Sequence, residues 1–155
     1  MRINWYKDFP ESYQAMKDLE LVAEQSKLDP IIKELVRIRV SQINGCAYCL
    51  DMHTKDARAL GETEQRINLV AAWHEASVYS PREKAALGWC ETLTLISQNK
   101  PSEKAHEELE RFFDIEEIMA LTVTIVAINS WNRFILGFKV EMRNYVSHKN
   151  PVVQS

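Results

Sequence analysis

Apolar residues recur every three or four positions along most of the chain, and few residues that break a helix interrupt them. This spacing is typical of amphipathic α-helices, because positions three and four apart share one face. The alternating pattern of a half-buried strand is absent. The fold class predicted is therefore all-α, a compact bundle of about six to seven helices. We expect the helices at residues 10–26, 30–43, 46–60, 63–76, 81–98, 102–112 and 114–139.

Signals for helix starts and stops support these boundaries. Asp29 precedes Pro30, which gives an N-cap followed by proline at the first helical position. Capping patterns begin at Ser80 and Asp114, and each such cap contributes about 1 kcal/mol. Gly61 is placed to end the third helix. The chain has only four glycines, so turns are few and the helices between them are long.

The last predicted helix is apolar on nearly every face. From Asp114 onward it carries Ile118, Leu121, Ile125 and Ile128 on one side and other large apolar residues around the rest. A helix without a polar face lies either at the centre of a bundle or at a subunit interface. We therefore expect a homo-oligomer.

Length and charge narrow the class of protein. The chain has 155 residues, the size of one domain, and a net charge of -3, so nucleic acid is not expected as a partner. The N-terminus lacks the apolar segment of a secretory signal, and the longest apolar run, residues 118–128, is about half of what a bilayer needs. We expect one domain over 1–155, in the cytoplasm and without a membrane contact. The tail from residue 147 is polar and contains Pro151, so we expect it to be loose or packed on a partner.

Candidate chemistry concentrates in the segment NGCAYCLDMH, residues 44–53. Asn44-Gly45 predicts a helix–helix turn, which places Cys46 at the start of the next helix. Backbone N–H groups there favour an anion, so the pKa of Cys46 should fall from about 8.5 toward 7. Cys49 lies one turn further on the same face, and His53 follows at the spacing that sets an imidazole over the Cys49 thiol.

Glu34 is a fourth member of this group. It lies eleven residues before Gly45, and His53 lies eight residues after it. If the two helices fold back antiparallel, the carboxylate and the imidazole come within about one turn of each other. A carboxylate held against a histidine fixes its tautomer and raises its basicity.

Three interpretations of the cysteine segment remain open from the residues alone. The thiols of Cys46 and Cys49 are a redox pair, or they are small buried apolar groups, or they bind zinc together with His53 and Glu34. Three ligands within one helix would be unusual for structural zinc, so neither a metal nor a cofactor is expected. Cys90, among leucines and tryptophan, is expected to be a buried, inert thiol. Asn129, Ser130 and Asn132 interrupt the apolar helix, either to bond between helices or to form a polar wall beside the thiols.

The spacing of Glu34, Cys46, Cys49 and His53 resembles the core motif of the alkyl hydroperoxidase D (AhpD)-like, carboxymuconolactone decarboxylase superfamily. The stretches ELVRIRVSQINGCAYCLDMHTKDARALG and WHEASVYSPREKAALGWCETLT resemble the family, as does INSWNRF near the end. The likeness covers about residues 30–140, as a single core unit. It implies an all-α fold with a CxxC helix hairpin at the active site.

The resemblance also implies a function: a thiol-dependent peroxidase of antioxidant defence. By motif position Cys49 attacks the peroxide, Cys46 resolves the product as a disulfide, and His53 with Glu34 relays protons. A small hydroperoxide and a dithiol donor, either a protein or a lipoyl group, would be its partners, and relatives assemble as trimers or hexamers. Helix-start electrostatics instead favour Cys46 as the first thiolate, so the order stays open.

One further expectation concerns Tyr48, which lies between the two cysteines in sequence. Tyr48 occupies the place of a second histidine found in some family sites, and a tyrosine is a poor base but a good hydrogen-bond donor.

The alternatives to a peroxidase are a redox-sensing or structural helical oligomer without useful turnover and, less favoured, a zinc-binding module.

Overall fold

The structure, a computed structural model, describes residues 3–151. Within this range every regular element is helical and there is no strand, which confirms the all-α fold class. The described residues form eight α-helices and one 3₁₀ turn, Val70–Ala72, which follows the fifth helix. The α-helices are α1 Trp5–Asp8, α2 Pro10–Glu24, α3 Pro30–Asn44, α4 Ala47–Ala59, α5 Glu64–Leu69, α6 Pro81–Thr94, α7 Glu103–Glu110 and α8 Ile115–Gly137.

The predicted caps are present. Asp29 accepts a hydrogen bond from the backbone of Ile31, and Ser80 and Asp114 each form a complete capping box. Gly61 ends α4 with a positive φ of 103°, a conformation that favours glycine. These local contacts fix where four of the helices begin or end.

Two predicted helix ends lie at least four residues beyond the observed ones, and one helix was not predicted; the other bounds differ by at most two residues. Helix α5 ends at Leu69 and α6 at Thr94, earlier than residues 76 and 98. The chain after α5 is drawn onto α6, where the Trp73 indole donates to Glu91 at 2.7 Å and packs beside Gly88. Helix α1 was not predicted, because one turn of four residues has no periodicity; burial of Trp5 holds it in place.

Helices α3 and α8 form the centre of the bundle. Helix α3 packs against α4, α6 and α8, and α8 packs against α2 and α3. Leu35, Ile38, Leu121, Ile125 and Ile128 are completely or almost completely buried at these contacts. The central position predicted for the apolar helix is therefore correct for one of its sides.

The opposite side of α8 is open. Ile115, Met119 and Val126 are 72%, 62% and 47% exposed. By length and hydropathy alone α8 could also cross a membrane. Its apolar composition is accounted for in part by the bundle core, since eight of its residues are buried there.

The segment after α8 returns across the bundle without regular secondary structure. Within residues 138–151, Arg143 donates to the Tyr6 hydroxyl at 2.5 Å and Tyr145 donates to Asp56 at 2.8 Å. Lys149 pairs with Glu24 of α2. The described part of the predicted loose tail, residues 147–151, thus contacts its own chain, and residues 152–155 lie outside the described range.

Candidate active site

The turn between α3 and α4 positions the two cysteines. Gly45 has a φ of 70°, a left-handed conformation that ends α3. Its N–H donates to the carbonyl of Gln42, and the N–H of Cys46 donates to that of Ser41. The chain then starts α4 with Cys46 as the N-cap, as the sequence predicted. The Cys46 sulfur accepts a hydrogen bond from the Cys49 N–H at 3.4 Å.

The two thiols are buried and share a hydrogen bond. Cys46 and Cys49 are both free thiols and at most 1% exposed. The hydrogen bond from the Cys49 thiol lowers the pKa of Cys46 to about 7, against the effect of burial, and the N–H groups of Cys49 and Tyr48 assist. The same pairing, together with burial, raises the pKa of Cys49. When the pair loses one proton, the remaining proton is therefore held between the two sulfurs and Cys46 carries the negative charge.

Asn132 of α8 supports this charge from the other side. It is fully buried, and its side-chain hydrogen bonds lower the pKa of both thiols. Asn132 also donates to Ser41 at 3.2 Å and accepts from Asn44 at 2.9 Å. Both interpretations left open for the polar residues of this helix are thus realised at one position: Asn132 bonds between helices and lies beside the thiols.

His53 and Glu34 are in direct contact, as the antiparallel arrangement predicted. The distance from His53 Nδ1 to Glu34 Oε2 is 2.8 Å, and the two residues are 5% and 1% exposed. Burial raises the pKa of Glu34, but His53 and Arg37 outweigh it and lower that pKa to about 2. An ionised Glu34 accepts a hydrogen bond from the Nδ1–H of His53, a tautomer in which Nε2 carries no proton.

Arg37 anchors this carboxylate and was not predicted from the sequence. Its buried guanidinium donates to Glu34 at 2.7 Å, lies 2.6 Å from Glu24 and also bonds Glu20. The attraction of these carboxylates more than offsets burial and raises the pKa of Arg37. The signal available in the sequence was the spacing of Glu34 and Arg37, three apart on one helix face.

Asp56 is a second residue that the sequence motif did not include. It is 4% exposed, and its carboxylate lies within 4.8 Å of ligand atoms of Glu34 and His53. Tyr145 donates to it, and burial together with Asp56 raises the pKa of that phenol. Asp56 follows His53 by three residues, so its place on the same face of α4 could have been predicted from the sequence.

The zinc interpretation required one cluster of Cys46, Cys49, His53 and Glu34. Among the described residues the group that could hold a metal ion is instead Glu34, His53 and Asp56, without either sulfur. Arg37 already neutralises part of its negative charge. The four-ligand set that the spacing allowed is therefore not assembled.

A cavity of about 550 Å³ gives access to the site. Cys49, His53 and Tyr48 line it, whereas Cys46 does not. Aromatic side chains of α1, α2 and α8, among them Trp5 and Trp131, form much of its wall. A molecule that enters the cavity therefore meets Cys49 and not Cys46.

Cys90 lies in α6, outside this cavity. It is fully buried, and its thiol donates to the Leu87 carbonyl at 3.1 Å. Burial raises its pKa, so it stays protonated. This environment agrees with the expected inert thiol.

An all-α bundle with a buried CxxC pair on a helix hairpin is the AhpD-like architecture. The chain belongs to the carboxymuconolactone decarboxylase family, whose sequence pattern matches residues 8–92. It is 46% identical over 132 residues to the uncharacterized protein YdfG of Bacillus subtilis (strain 168), covering 85% of this chain and 90% of YdfG.

Solved structures agree with this assignment. A crystal structure of ATU0492 from Agrobacterium tumefaciens, a protein of unknown function for which the antioxidant defence role of AhpD has been suggested, has a TM-score of 0.89 and 42% identity. The match covers 93% of this chain and 99% of that one. An alkylhydroperoxidase AhpD core protein from Ralstonia eutropha JMP134 shares the fold at 19% identity and a TM-score of 0.78, over 90% of this chain and 74% of its own. At this identity the likeness to the Ralstonia protein shows the fold alone.

Proposed function

We propose that this protein is a cytoplasmic, thiol-dependent peroxidase that reduces small organic hydroperoxides through a dithiol–disulfide cycle of Cys46 and Cys49. The observation that carries the proposal is the position of Cys49 on the cavity wall, with His53 lining the same cavity and held by the ionised Glu34. The similarity to ATU0492 supports the same role.

The first chemical step needs a thiolate at Cys49. His53 Nε2 takes the thiol proton, and the sulfur attacks the distal peroxide oxygen. An S–O bond forms, the O–O bond breaks, and the departing alkoxide receives the proton from His53 to leave as an alcohol. Glu34 stays ionised and stabilises the imidazolium formed in between.

Cys46 completes the oxidation. Its thiolate attacks the sulfenic sulfur of Cys49, an S–S bond forms, and hydroxide leaves. The hydroxide takes up a proton from solvent, equal to the one that Cys46 released when it ionised. A low pKa suits Cys46 to this step, because the attacking sulfur must be a thiolate. A dithiol donor, either a protein or a lipoyl group, then reduces the disulfide.

Stoichiometric oxidation tests this cycle. Reduced protein treated with one equivalent of cumene hydroperoxide should lose two thiols and yield a Cys46–Cys49 disulfide in a peptide mass map. Cys49→Ser should consume no peroxide, and Cys46→Ser should stop at a sulfenic acid that dimedone traps. Cys90→Ser is the matched control and should behave as the wild type. Unchanged peroxide consumption by Cys49→Ser would remove the role given to Cys49.

The open side of α8 supports a second part of the proposal, assembly into a trimer or hexamer. Ile115, Met119 and Val126 form an exposed apolar strip, and burying such a strip between copies would be favourable. Light scattering on the wild type and on Met119→Glu tests it: the variant should shift toward the monomer.

The rate of turnover separates the peroxidase from the alternative function. A turnover with dithiol donors no faster than that of free thiols would favour a redox-sensing or structural oligomer instead.

A further inference from the structure

The cavity wall carries a positive charge, that of Arg143, that no carboxylate within residues 3–151 neutralises through a salt bridge. Arg143 lines the cavity, and in this part of the chain it has no salt bridge to an acid. Its contacts are to Tyr6, with 2.5 Å to the hydroxyl and 5.5 Å to the ring centroid. The other arginine of the cavity, Arg37, is paired with three carboxylates. Among the described residues, Arg143 thus keeps its charge available to a ligand, whereas Arg37 does not.

Phenol groups gather around this guanidinium. The rings of Tyr6 and Tyr13 lie 6.0 Å apart, and Lys17, also without a salt bridge in the described chain, lies 5.9 Å from the Tyr13 centroid. Burial raises the pKa of Tyr48, and the positive charge of Arg143 opposes it, with Tyr6 and Tyr13 contributing as neighbours. Within the described residues none of these three hydroxyls donates a hydrogen bond to a protein acceptor.

Arg143 and the three phenols supply hydrogen-bond donors, whereas the carboxylates of the cavity wall are already bonded within the protein: Glu20 and Glu24 to Arg37, and Asp56 to Tyr145. A guanidinium with phenol O–H groups matches a carboxylate, which accepts several hydrogen bonds and carries the opposite charge. Much of the remaining cavity wall that Cys49 shares is aromatic and apolar, with Trp5 and Trp131 among its residues. A fitting molecule has an anionic end, an apolar body and a reacting group at the other end.

We propose that Arg143, Lys17 and the hydroxyls of Tyr6, Tyr13 and Tyr48 form a carboxylate subsite, and that the preferred substrates are organic hydroperoxides that bear a carboxylate. The inference rests on the proposed peroxidase function and adds the substrate class to it. The subsite belongs to substrate recognition, because it lies on the cavity wall while the redox pair and the proton relay are complete without it.

A matched pair of hydroperoxides tests the proposal. Cumene hydroperoxide carrying a para-carboxylate and the methyl ester of the same compound have the same peroxide group and differ in charge. The wild type, with a saturating small dithiol, should show kcat/KM at least about tenfold higher for the acid. In Arg143→Gln the acid-to-ester ratio should fall to within about threefold of one. The ratio, measured within one preparation, is insensitive to a fraction of unfolded protein.

Lys104→Gln is the matched control, since Lys104 is an exposed residue of α7 outside the cavity. It should retain both the activity and the acid-to-ester ratio. A wild-type ratio near one, or the same ratio in Arg143→Gln, would overturn the subsite.

Binding of the product acid, para-carboxycumyl alcohol, measures the subsite without turnover. By calorimetry it should bind the wild type at least about tenfold more tightly than Arg143→Gln. Binding that depends on Arg143 in a protein without peroxidase activity would refute the proposed function and keep the subsite.

A comparison of dihydrolipoate with dihydrolipoamide tests whether the subsite serves the electron donor. These two dithiols differ in a carboxylate in the same way as the two hydroperoxides do. If only this pair shows an Arg143-dependent preference for the acid, the carboxylate belongs to the donor and the substrate assignment is wrong.

Discussion

Replacing Glu34 by Gln removes the charge on which the buried ion-pair network depends. Glu34 is 1% exposed and accepts from both His53 and Arg37. Its pKa is about 2 in the folded protein, against an ordinary 4.5. The gap between these values corresponds to about 3 kcal/mol of stabilisation when the carboxylate is ionised in both states. Breaking a buried ion pair costs a similar amount, about 3–5 kcal/mol. Arg37 keeps Glu20 and Glu24, so we expect a loss of about 3 kcal/mol in the free energy of unfolding at pH 7.

The lowered pKa of Glu34 also predicts how the loss of stability in Glu34→Gln changes with pH. Because the folded-state pKa is depressed, the contribution of Glu34 is complete above pH 4.5 and is lost as the pH falls toward 2. At pH 3.5 about 1 kcal/mol of it should already be gone. The difference between wild type and Glu34→Gln should therefore shrink by about that amount between pH 7 and pH 3.5.

Urea denaturation followed by circular dichroism at pH 7, 5 and 3.5 measures the effect. Glu64→Gln is the matched control, because Glu64 pairs with Arg58 on the exposed surface, where ion pairs contribute little. If Glu34→Gln cost no more than the control, or cost the same at every pH, the assignment of an ionised, buried Glu34 would be wrong.

Three further predictions concern the turn and the thiols. Gly45→Ala should lower the free energy of unfolding by about 1 kcal/mol because of its φ of 70°, whereas Gly137→Ala, in ordinary helical space, should not; thermal denaturation compares them. Absorbance at 240 nm of the reduced protein should rise by one thiolate with a midpoint near pH 7, as the pKa of Cys46 requires; Cys46→Ser should abolish the rise and Cys90→Ser should not. Asn132→Ala should move this midpoint to higher pH, since its hydrogen bond favours the thiolate, and should cost about 1–3 kcal/mol in urea denaturation. An unmoved midpoint would refute the role given to Asn132.

Several helix starts could be predicted from the sequence because each has a local cause. Capping patterns that involve only the next three residues predict helix starts at Asp29, Ser80 and Asp114. Each of these caps forms the expected hydrogen bonds. The end of α5 was not readable, because it depends on the Trp73 indole reaching Glu91 eighteen residues away. Contacts of that kind appear only once the chain has folded.

The same distinction between local spacing and long-range contacts applies to the candidate active site. The spacing of Cys46, Cys49 and His53 on one helix fixes their relation, and a simple estimate of rise per residue brought Glu34 to His53. Asn132 was noticed only because it interrupts an apolar helix, which left its role open, and Tyr145 was not indicated because it comes from a segment far away in sequence. The catalytic roles of the four motif residues stay predictions until the variants are measured.

Burial of the cysteines determines how the protein oxidises during storage. All three cysteines are at most 1% exposed, so a buried thiol of one copy cannot reach the equally buried sulfur of another copy. A donor differs, because its own exposed thiol can enter the cavity that Cys49 lines. Storage under air should leave the protein as single chains on a non-reducing gel, even after the pair at the cavity has been oxidised. Bulky thiol reagents should likewise undercount the free sulfhydryls until the fold is opened with denaturant.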